Sequence, residues 1–369
     1  MQGRGMMRAL LIFFKPMDIP RDIEPSTSSV LVAMSGGVDS SVAAALLQKQ
    51  GFAVSGIYMI THDDFEQDLS DARRVAAALG IELEAVDLRS TFAETVIRYF
   101  VEEYKNARTP NPCVYCNRHI KFGKLIELAR QRGADAFATG HYIRLRHTDS
   151  GSEVLTAKNT AKDQSYILCM VEPENLQRVI FPVGQFTKDR VRDMARELKL
   201  PIHDKADSQE ICFVPDDDYP AMLEKLCPEL KKEGLIVDTD GAALGRHEGI
   251  YKYTIGQRRG LGIALGEPAY VVRLEPHSNK VVLGSKEDLM QKVATVRDFN
   301  WLLVPPAEEF RAFVKIRYNH RGQWADIIVE DKDVLVRFEQ PASAVTPGQA
   351  CAVYLPEENA FKLLGGGWL

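Results

Sequence analysis

The 369-residue sequence predicts an α/β fold: a doubly wound parallel sheet, then a small central module, then a C-terminal β-barrel. Three observations carry this expectation. Short β-branched runs alternate with helical patterns from residue 30 to about 140, a Gly-Gly turn joins the first run to the first helix, and short alternating strands fill the chain beyond about 290. The first run, Val30 to Met34, stops at Ser35-Gly36-Gly37, and Ala43, Leu46 and Leu47 mark a helix over 39–50. Strand 52–59, helix 68–79, strand 81–86, helices 91–104 and 120–132, and strand 136–139 follow. Such alternation implies a parallel sheet covered on both faces, with ligands at the carboxyl ends of its strands. A Thr187-capped helix over 187–200 is stopped by Pro201. Gly241, Gly245, Gly249, Gly256, Gly260, Gly262 and Gly266 then punctuate β-prone runs, as in an irregular β-module. Strands at 293–299, 311–318, 323–329, 334–338, 350–355 and 361–364, with turns at Asn319, Gly322 and Pro347-Gly348, predict the barrel. The expected units are an N-terminal extension over 1–29, a doubly wound domain over 30–213, a central module over 214–289 and the barrel over 290–369.

Composition narrows the function classes. Hydrophobic residues make up 45% and charged residues 26%, as in a soluble globular protein, and the length suits two or three domains. A net charge of −5 excludes whole-molecule attraction to nucleic acid, so RNA binding requires a local basic face. Six cysteines in so long a chain do not make a secreted disulfide framework; they suit a cytoplasmic protein whose thiols bind metal or do chemistry. The apolar run at residues 9–14 is too short for a signal peptide or a membrane span.

The glycine turn is the strongest functional signal. Strand, turn and helix N-terminus together present converging N–H groups and a positive dipole end, which bind phosphate. Asp39 or Ser40 can cap the helix, and the Ser35 and Ser40 hydroxyls can donate to phosphate oxygens. No Lys follows the glycines, so this is not the loop that grips β/γ-phosphates with a lysine. Ser35-Gly36-Gly37-Val38-Asp39-Ser40 resembles the pyrophosphate loop of ATP pyrophosphatases, which activate a carbonyl oxygen by adenylation. Thr139-Gly140-His141 ends a strand on the same rim, so ATP there would meet Ala33, Met34, Ser35, Gly36, Gly37, Val38, Asp39, Ser40, Met59 and Gly140, with Mg²⁺ beside Asp39.

A second constellation lies at residues 108–123, where Pro110 and Pro112 stiffen a loop carrying Cys113-Val-Tyr-Cys116 into the 120–132 helix. Thiols at a helix N-terminus beside Arg118, His119 and Lys121 are expected to have a lowered pKa. Asp207-Ser208-Gln209-Glu210-Ile211-Cys212 carries another cysteine, whereas Cys169, Cys227 and Cys351 sit in apolar settings that suit burial.

At this point a resemblance becomes specific. The loop at 33–40, Pro110-Asn111-Pro112 before Cys116-Asn117, Ile120-Lys121-Phe122 and Ala138-Thr139-Gly140-His141-Tyr142 are similar to the bacterial and mitochondrial tRNA-specific 2-thiouridylases. So are Lys162-Asp163-Gln164-Ser165-Tyr166, Asp207-Ser208-Gln209 with Cys212, Tyr253-Thr254-Ile255-Gly256-Gln257-Arg258 and Pro347-Gly348-Gln349, in order from about residue 30 to the C-terminus. The resemblance implies ATP-dependent replacement of O2 by sulfur in the wobble uridine (U34) of tRNAs of the Lys, Glu and Gln type, by a monomer fed by a persulfide donor protein. It assigns Cys212 as persulfide carrier and Cys116 as nucleophile, with a transient disulfide between them. It places Asn111, Pro112, Cys113, His141, Lys162, Asp163, Gln164, Arg317, Tyr318 and Gln349 at the tRNA.

Cys113 departs from that family, many of whose members carry an Asp there, assigned to the target base. Three thiols, Cys113, Cys116 and Cys212, can alternatively hold a [4Fe–4S] cluster with one iron open to sulfide, or a zinc ion. The chain's own residues leave relay, cluster and zinc open.

Arg311, Lys315, Arg317, His320 and Arg321, interleaved with Phe313, Tyr318 and Trp324, form a stretch without acids. As a strand it puts Arg311, Phe313, Lys315 and Arg317 on one face, either a solvated edge or, given the resemblance, an RNA contact. Tyr251 to Gly260 mixes aromatics, Arg and Gly in the same manner. The competing functions are another pyrophosphate-loop ligase, disfavoured by the paired cysteine motifs, and a non-enzymatic RNA-binding module, disfavoured by the intact glycine loop.

Overall fold

The computed structural model describes residues 17–205, 211–263 and 267–369. Residues 1–16, the Asp207-Ser208-Gln209 motif and Gly266 lie outside the described residues. β1 (Ser29–Ala33) lies at the centre of a five-stranded parallel sheet with β2 (Ala53–Ile60), β3 (Leu83–Asp87), β4 (Ala136–Thr139) and β7 (Val179–Ile180), in the order β3-β2-β1-β4-β7. Strand order reverses between β1 and β4, which opens a crevice at their carboxyl ends. The glycine turn and Thr139-Gly140 flank it.

Helix α1 (Val38–Gln50) buries an almost unbroken run from Ser40 to Leu47 against the sheet, and Gly51 in the left-handed conformation ends it. α2 (Glu66–Leu79) ends likewise at Gly80. α3 spans 89–105 and contains a π-helical stretch, Ala93–Ile97. α4 spans 112–131 and is α-helical at Pro112–Cys116, π-helical at Asn117–Lys124 and α-helical again at Leu125–Gln131. It begins eight residues earlier than the sequence suggests: Pro112 takes the first helical position and Asn111 accepts the Val114 N–H at 3.1 Å as its cap. α5 (Lys188–Glu197), capped by Thr187, and α6 (Tyr219–Leu226) complete the main helices.

A hairpin of β5 (Ile143–Thr148) and β6 (Gly151–Thr156), which the sequence pattern does not announce, leaves the first domain and joins the edge of the barrel. The barrel consists of β12 (Met290–Trp301), β13 (Glu309–Lys315), β14 (Gln323–Glu330), β15 (Asp333–Ser343), β16 (Ala350–Glu357) and β17 (Ala360–Trp368), closed by β12–β17 pairing. Closure leaves Ala312, Val314, Ile316, Ile327, Val334 and Val336 fully inside. The central module is a four-stranded sheet, with β8 (Gly234–Val237), β9 (Ala243–His247), β10 (Tyr270–Glu275) and β11 (Lys280–Gly284) in the order β10-β11-β8-β9.

One apolar cluster runs through both ends of the chain, taking Phe100, Val114, Ile120, Phe122 and Phe213 together with Ala350, Ala352 and Tyr354. The thiol-bearing helix is thus packed between the doubly wound domain and the barrel. Residues 17–28, expected to form part of a loose extension, instead pack on the first domain: Ile23 is buried, Met17 and Ile19 lie against the second core, and Arg178 bonds Asp22 at 2.6 Å. Their spaced apolar side chains explain this, since each covers sheet-domain surface that would otherwise face water.

Candidate active site

The glycine turn is held by contacts only glycine permits. Gly36 has φ +71°, and a Cβ there would lie 2.2 Å from the Asp68 carbonyl oxygen. A Cβ on Gly140 would lie 2.4 Å from the Ser40 nitrogen, so the end of β4 touches the first turn of α1. The Ser35 N–H donates to Ser40 Oγ at 3.2 Å and Ser40 Oγ donates to the Gly37 carbonyl at 3.2 Å, which fixes the turn from within. Met34 is buried, while Ala33 and Met59 pack against the neighbouring core from the paired strands β1 and β2.

Neither Asp39 nor Ser40 caps α1. Gly37 is the N-cap, without a side-chain bond, and both residues lie inside the first turn. The physical reason is that the Asp39 carboxylate is engaged elsewhere: both its oxygens accept from Lys188 Nζ at 2.9 Å, and Oδ1 accepts from the Tyr142 hydroxyl at 2.8 Å. The first N–H groups of the helix therefore remain open to an anion. Lys188, 9% exposed at the start of α5, supplies beside the loop the cation that the loop's own sequence lacks. Sequence reasoning misses it because a lysine just after a helix N-cap reads as a solvated residue, and nothing local in the sequence links it to Asp39. Lys205 adds a second cation, donating to Asp68 and Asp71 at 2.6 Å each and to the Gly36 carbonyl at 3.2 Å.

From the glycine turn the chain of contacts continues to the thiols. His141 follows Gly140, bonds Thr139 Oγ1 through Nδ1 at 2.7 Å and packs between Phe122 and Phe181. Burial, with Lys121 nearby, pushes its pKa well below the usual histidine value, so it is neutral at pH 7. Lys121 also acts on Cys113, Cys116 and Cys212, and the thiols feel one another's charge. The three cysteines thus lie within electrostatic reach of Lys121, and Cys116 within that of the other two.

The expectation of lowered thiol pKa values is overturned. Burial dominates and raises all three, Cys116 to about 12, with the neighbouring sulfurs adding to the rise and Lys121 alone pulling Cys116 down. Cys113 and Cys212 do present surface to solvent, whereas Cys116 is buried. All six cysteines are free thiols; Cys169, Cys227 and Cys351 are buried, as the sequence predicts. Among the described residues, no three His, Cys, Asp or Glu side chains stand close enough to hold a metal ion, so the trio as placed does not fit a cluster or a zinc ion.

The loop before the cysteines is clamped from both other units. Gln349 Nε2 donates to the Thr109 and Pro110 carbonyls at 3.0 Å each, and the Thr109 N–H donates to the Pro347 carbonyl at 2.9 Å. Thr109 also meets Thr254, and Tyr104 stacks on Tyr219 at 5.1 Å. Asn111 Nδ2 donates to the Tyr166 hydroxyl, which in turn donates to the Ala350 carbonyl at 2.7 Å. Pro112 is buried beneath it.

Residues assigned by resemblance to the tRNA fall into two groups. Asp163 and Gln164 are engaged internally: Asp163 accepts from the Ala157 N–H at 2.8 Å and the Ser165 hydroxyl at 2.8 Å, and Gln164 Oε1 accepts from the Tyr142 N–H at 2.8 Å. Lys162 is half-buried in the same short turn. Tyr318, 40% exposed, lies edge-on to Tyr166 at 6.1 Å and within electrostatic reach of Cys113, which links the barrel to the cysteine-bearing helix. Lys315 stands 5.9 Å from both the Tyr166 and Tyr318 rings. Arg317 donates to the Ala344 carbonyl at 3.3 Å.

Comparison with known proteins agrees with this layout. Three family models match in order: a tRNA methyl transferase HUP domain over 28–216, a tRNA methyl transferase PRC-barrel domain over 221–285 and an aminomethyltransferase β-barrel domain over 291–369. The tRNA-specific 2-thiouridylase MnmA of Syntrophotalea carbinolica is 46% identical over 348 residues, which cover 92% of this chain and 98% of that protein. Those of Halothermothrix orenii and Chloroflexus aggregans are each 45% identical, over 92% and 93% of this chain and 98% of each relative. With a glycine loop, a cysteine-bearing helix and a barrel in this order, and with such identity along nearly the whole length, the chain belongs to the tRNA-specific 2-thiouridylase family.

Proposed function

We propose that the protein is an ATP-dependent tRNA-uridine 2-sulfurtransferase acting on U34 of tRNAs of the Lys, Glu and Gln type. One observation carries the reading: Gly140 touches the open N-terminus of α1, His141 follows it, and Lys121 acts electrostatically both on His141 and on Cys113, Cys116 and Cys212. The family models are described as methyl transferases, but paired thiols beside an adenylation site suit sulfur transfer, as the relatives' names state.

The residues act in sequence. The N–H groups of the first turn of α1, the Ser35 and Ser40 hydroxyls and Lys188 take the pyrophosphate, and Ala33, Met34, Met59 and Gly140 line the nucleotide. Mg²⁺, when bound beside Asp39, supplies neutralisation of the pyrophosphate charge. Uridine O2 attacks the α-phosphorus, pyrophosphate leaves, and C2 becomes electrophilic. A persulfide donor protein loads Cys212. The Cys116 thiolate attacks Cys212 Sγ, the S–S bond to the outer sulfur breaks, and hydrosulfide departs with the electron pair. Hydrosulfide adds to C2, AMP leaves with the C–O pair, the S–H proton passes to solvent, and an external thiol reduces the Cys116–Cys212 disulfide. Asn111, Pro112 and Cys113 flank the base; His141, Lys162, Arg317 and Tyr318 approach the anticodon arm, while Asp163, Gln164 and Gln349 hold the segments that do so. The protein works as a monomer in the cytoplasm, where its free thiols persist; among the described residues, no helix is long and apolar enough to cross a membrane.

The test is incubation of unmodified tRNA with ATP and a persulfide donor, followed by mass analysis of the nucleosides. A gain of one sulfur for one oxygen at U34, with one pyrophosphate per event, is expected. A methylated product, or none, overturns the proposal.

A further inference from the structure

The winding of α4 places a lysine where the family reading assigns none. Through the π-helical stretch Asn117–Lys124 the backbone pairs five residues apart, so a residue five beyond Cys116 returns to the face of Cys116. That residue is Lys121. Gly123 allows the wide turn: a Cβ there would sit 2.8 Å from the Arg118 carbonyl oxygen, five residues back. The other cations of the stretch are neutralised, Arg118 by Glu172 at 2.6 Å and Lys124 by Glu127 at 2.9 Å. Lys121, half-buried, has no carboxylate partner among the described residues. The titratable groups that feel its charge are Cys113 and Cys116 from its own helix, Cys212 from the segment after α5, and His141 from the end of β4; Tyr318 of the barrel in turn feels Cys113.

We propose that Lys121 is the electrostatic positioning residue of the sulfur-transfer half-reaction, its ammonium holding anionic sulfur at Cys116 against the cost of burial. This rests on the function proposed above. A half-buried cation without a carboxylate partner, wound onto the face of a buried thiol, is the arrangement that stabilises a thiolate and then a departing hydrosulfide. With His141 neutral and Arg118 paired, no other cation among the described residues offsets the charge that appears when Cys116 loses its proton to solvent. Adenylation has its own cation in Lys188, so the two half-reactions are separable by residue.

The test compares wild type, Lys121→Met, Lys121→Gln and Lys121→Arg. Alkylation of Cys116 by iodoacetamide, located by mass spectrometry from pH 7 to 10, needs neither tRNA nor donor. Loss of the charge should move the Cys116 profile up by about one pH unit, an about tenfold slower reaction at pH 8. Lys121→Arg should keep the wild-type profile. ATP-to-pyrophosphate turnover with tRNA should stay within about twofold and certifies folding, while thiouridine formation should fall about tenfold or more in Met and Gln and recover in Arg. An unchanged alkylation profile in variants that still turn over ATP overturns the proposal. So does equal loss of pyrophosphate release and thiolation, which would assign Lys121 to the nucleotide. A wild type that makes no thiouridine overturns the function reading instead and leaves the thiol profile to be judged by itself.

Discussion

Asp39 shows how much a single side chain settles. Its carboxylate takes three hydrogen bonds, two from Lys188 and one from Tyr142, at the end of a helix that offers free N–H groups to an anion. Asp39→Ala removes the carboxylate from a largely buried ion pair with Lys188, a change that costs such pairs about 3–5 kcal/mol. It should reduce pyrophosphate release by about 100-fold or more, and Lys188→Ala should do the same, because each leaves the other misplaced against the phosphates. Full ATP turnover in either variant refutes their assignment. Cys113 makes a second residue-scale prediction. A relay needs Cys116 and Cys212, so Cys116→Ser and Cys212→Ser should abolish thiolation while Cys113→Ser keeps measurable activity with a persulfide donor. The trio as placed offers no metal-holding group among the described residues, so activity in Cys113→Ser should not depend on iron. An inactive, iron-free Cys113→Ser beside an active, iron-bearing wild type reverses this. Because burial raises the Cys116 pKa to about 12, its thiolate fraction grows with pH throughout the working range, and sulfur transfer should speed up from pH 7 to 9 rather than level off.

Among the elements, the contact between β4 and α1 is the narrowest tolerance in the site. The Gly140 Cα stands where a methyl group would meet Ser40 N at 2.4 Å and the Asp39 carbonyl carbon at 2.6 Å, both backbone atoms that cannot swing away. Gly140→Ala should push the strand end off the helix, destabilise the fold by about 1–3 kcal/mol and weaken ATP binding, read by thermal unfolding with and without ATP. An ATP-induced stabilisation equal to that of wild type would show the contact to be incidental. This rim was legible in the sequence, because alternating β-branched runs and glycine turns are local signals. So was the barrel, whose alternation survives in Ala312, Val314 and Ile316 facing inward. The early start of α4, the π-helical turn and the β5–β6 hairpin were not. The prolines at 110 and 112 read as a loop although Pro112 occupies the one helical position where its missing N–H costs nothing, and a π-turn depends on a glycine whose role is visible only against the carbonyl five residues back. Thiol acidity escapes the sequence for a related reason: it displays the neighbouring cations but not the burial that outweighs them.

The whole molecule carries a net charge of −5, so affinity for an anionic RNA has to be collected on one face. The barrel supplies a candidate face, but the charges on it are unequal. Arg311 is neutralised by Glu339 at 2.7 Å, and Lys315 is half-buried against Tyr166 and Tyr318. His320 is held at a pKa of about 4 by burial and by Arg317 and Lys315 beside it, so it is uncharged at pH 7. Arg317 and exposed Arg321 remain, close in sequence to Tyr318, which lies within electrostatic reach of Cys113. Binding of tRNA should therefore weaken with salt, and Arg317→Ala combined with Arg321→Ala should lower the slope of log affinity against log salt by roughly 0.7–0.9 for each phosphate that is no longer neutralised. His320→Ala should leave both slope and affinity unchanged, and wild-type affinity should not titrate through this histidine between pH 6 and 8. Arg311→Ala serves as the matched control, since its charge is already paired. The double variant should raise the Michaelis constant for tRNA while leaving turnover at saturation near wild type, because neither arginine touches the nucleotide or the sulfurs. Unchanged tRNA affinity in the double variant at moderate salt would move the anchoring face elsewhere, to the Tyr251–Gly260 stretch of the central module; the barrel would then serve only to clamp the catalytic loop through Gln349.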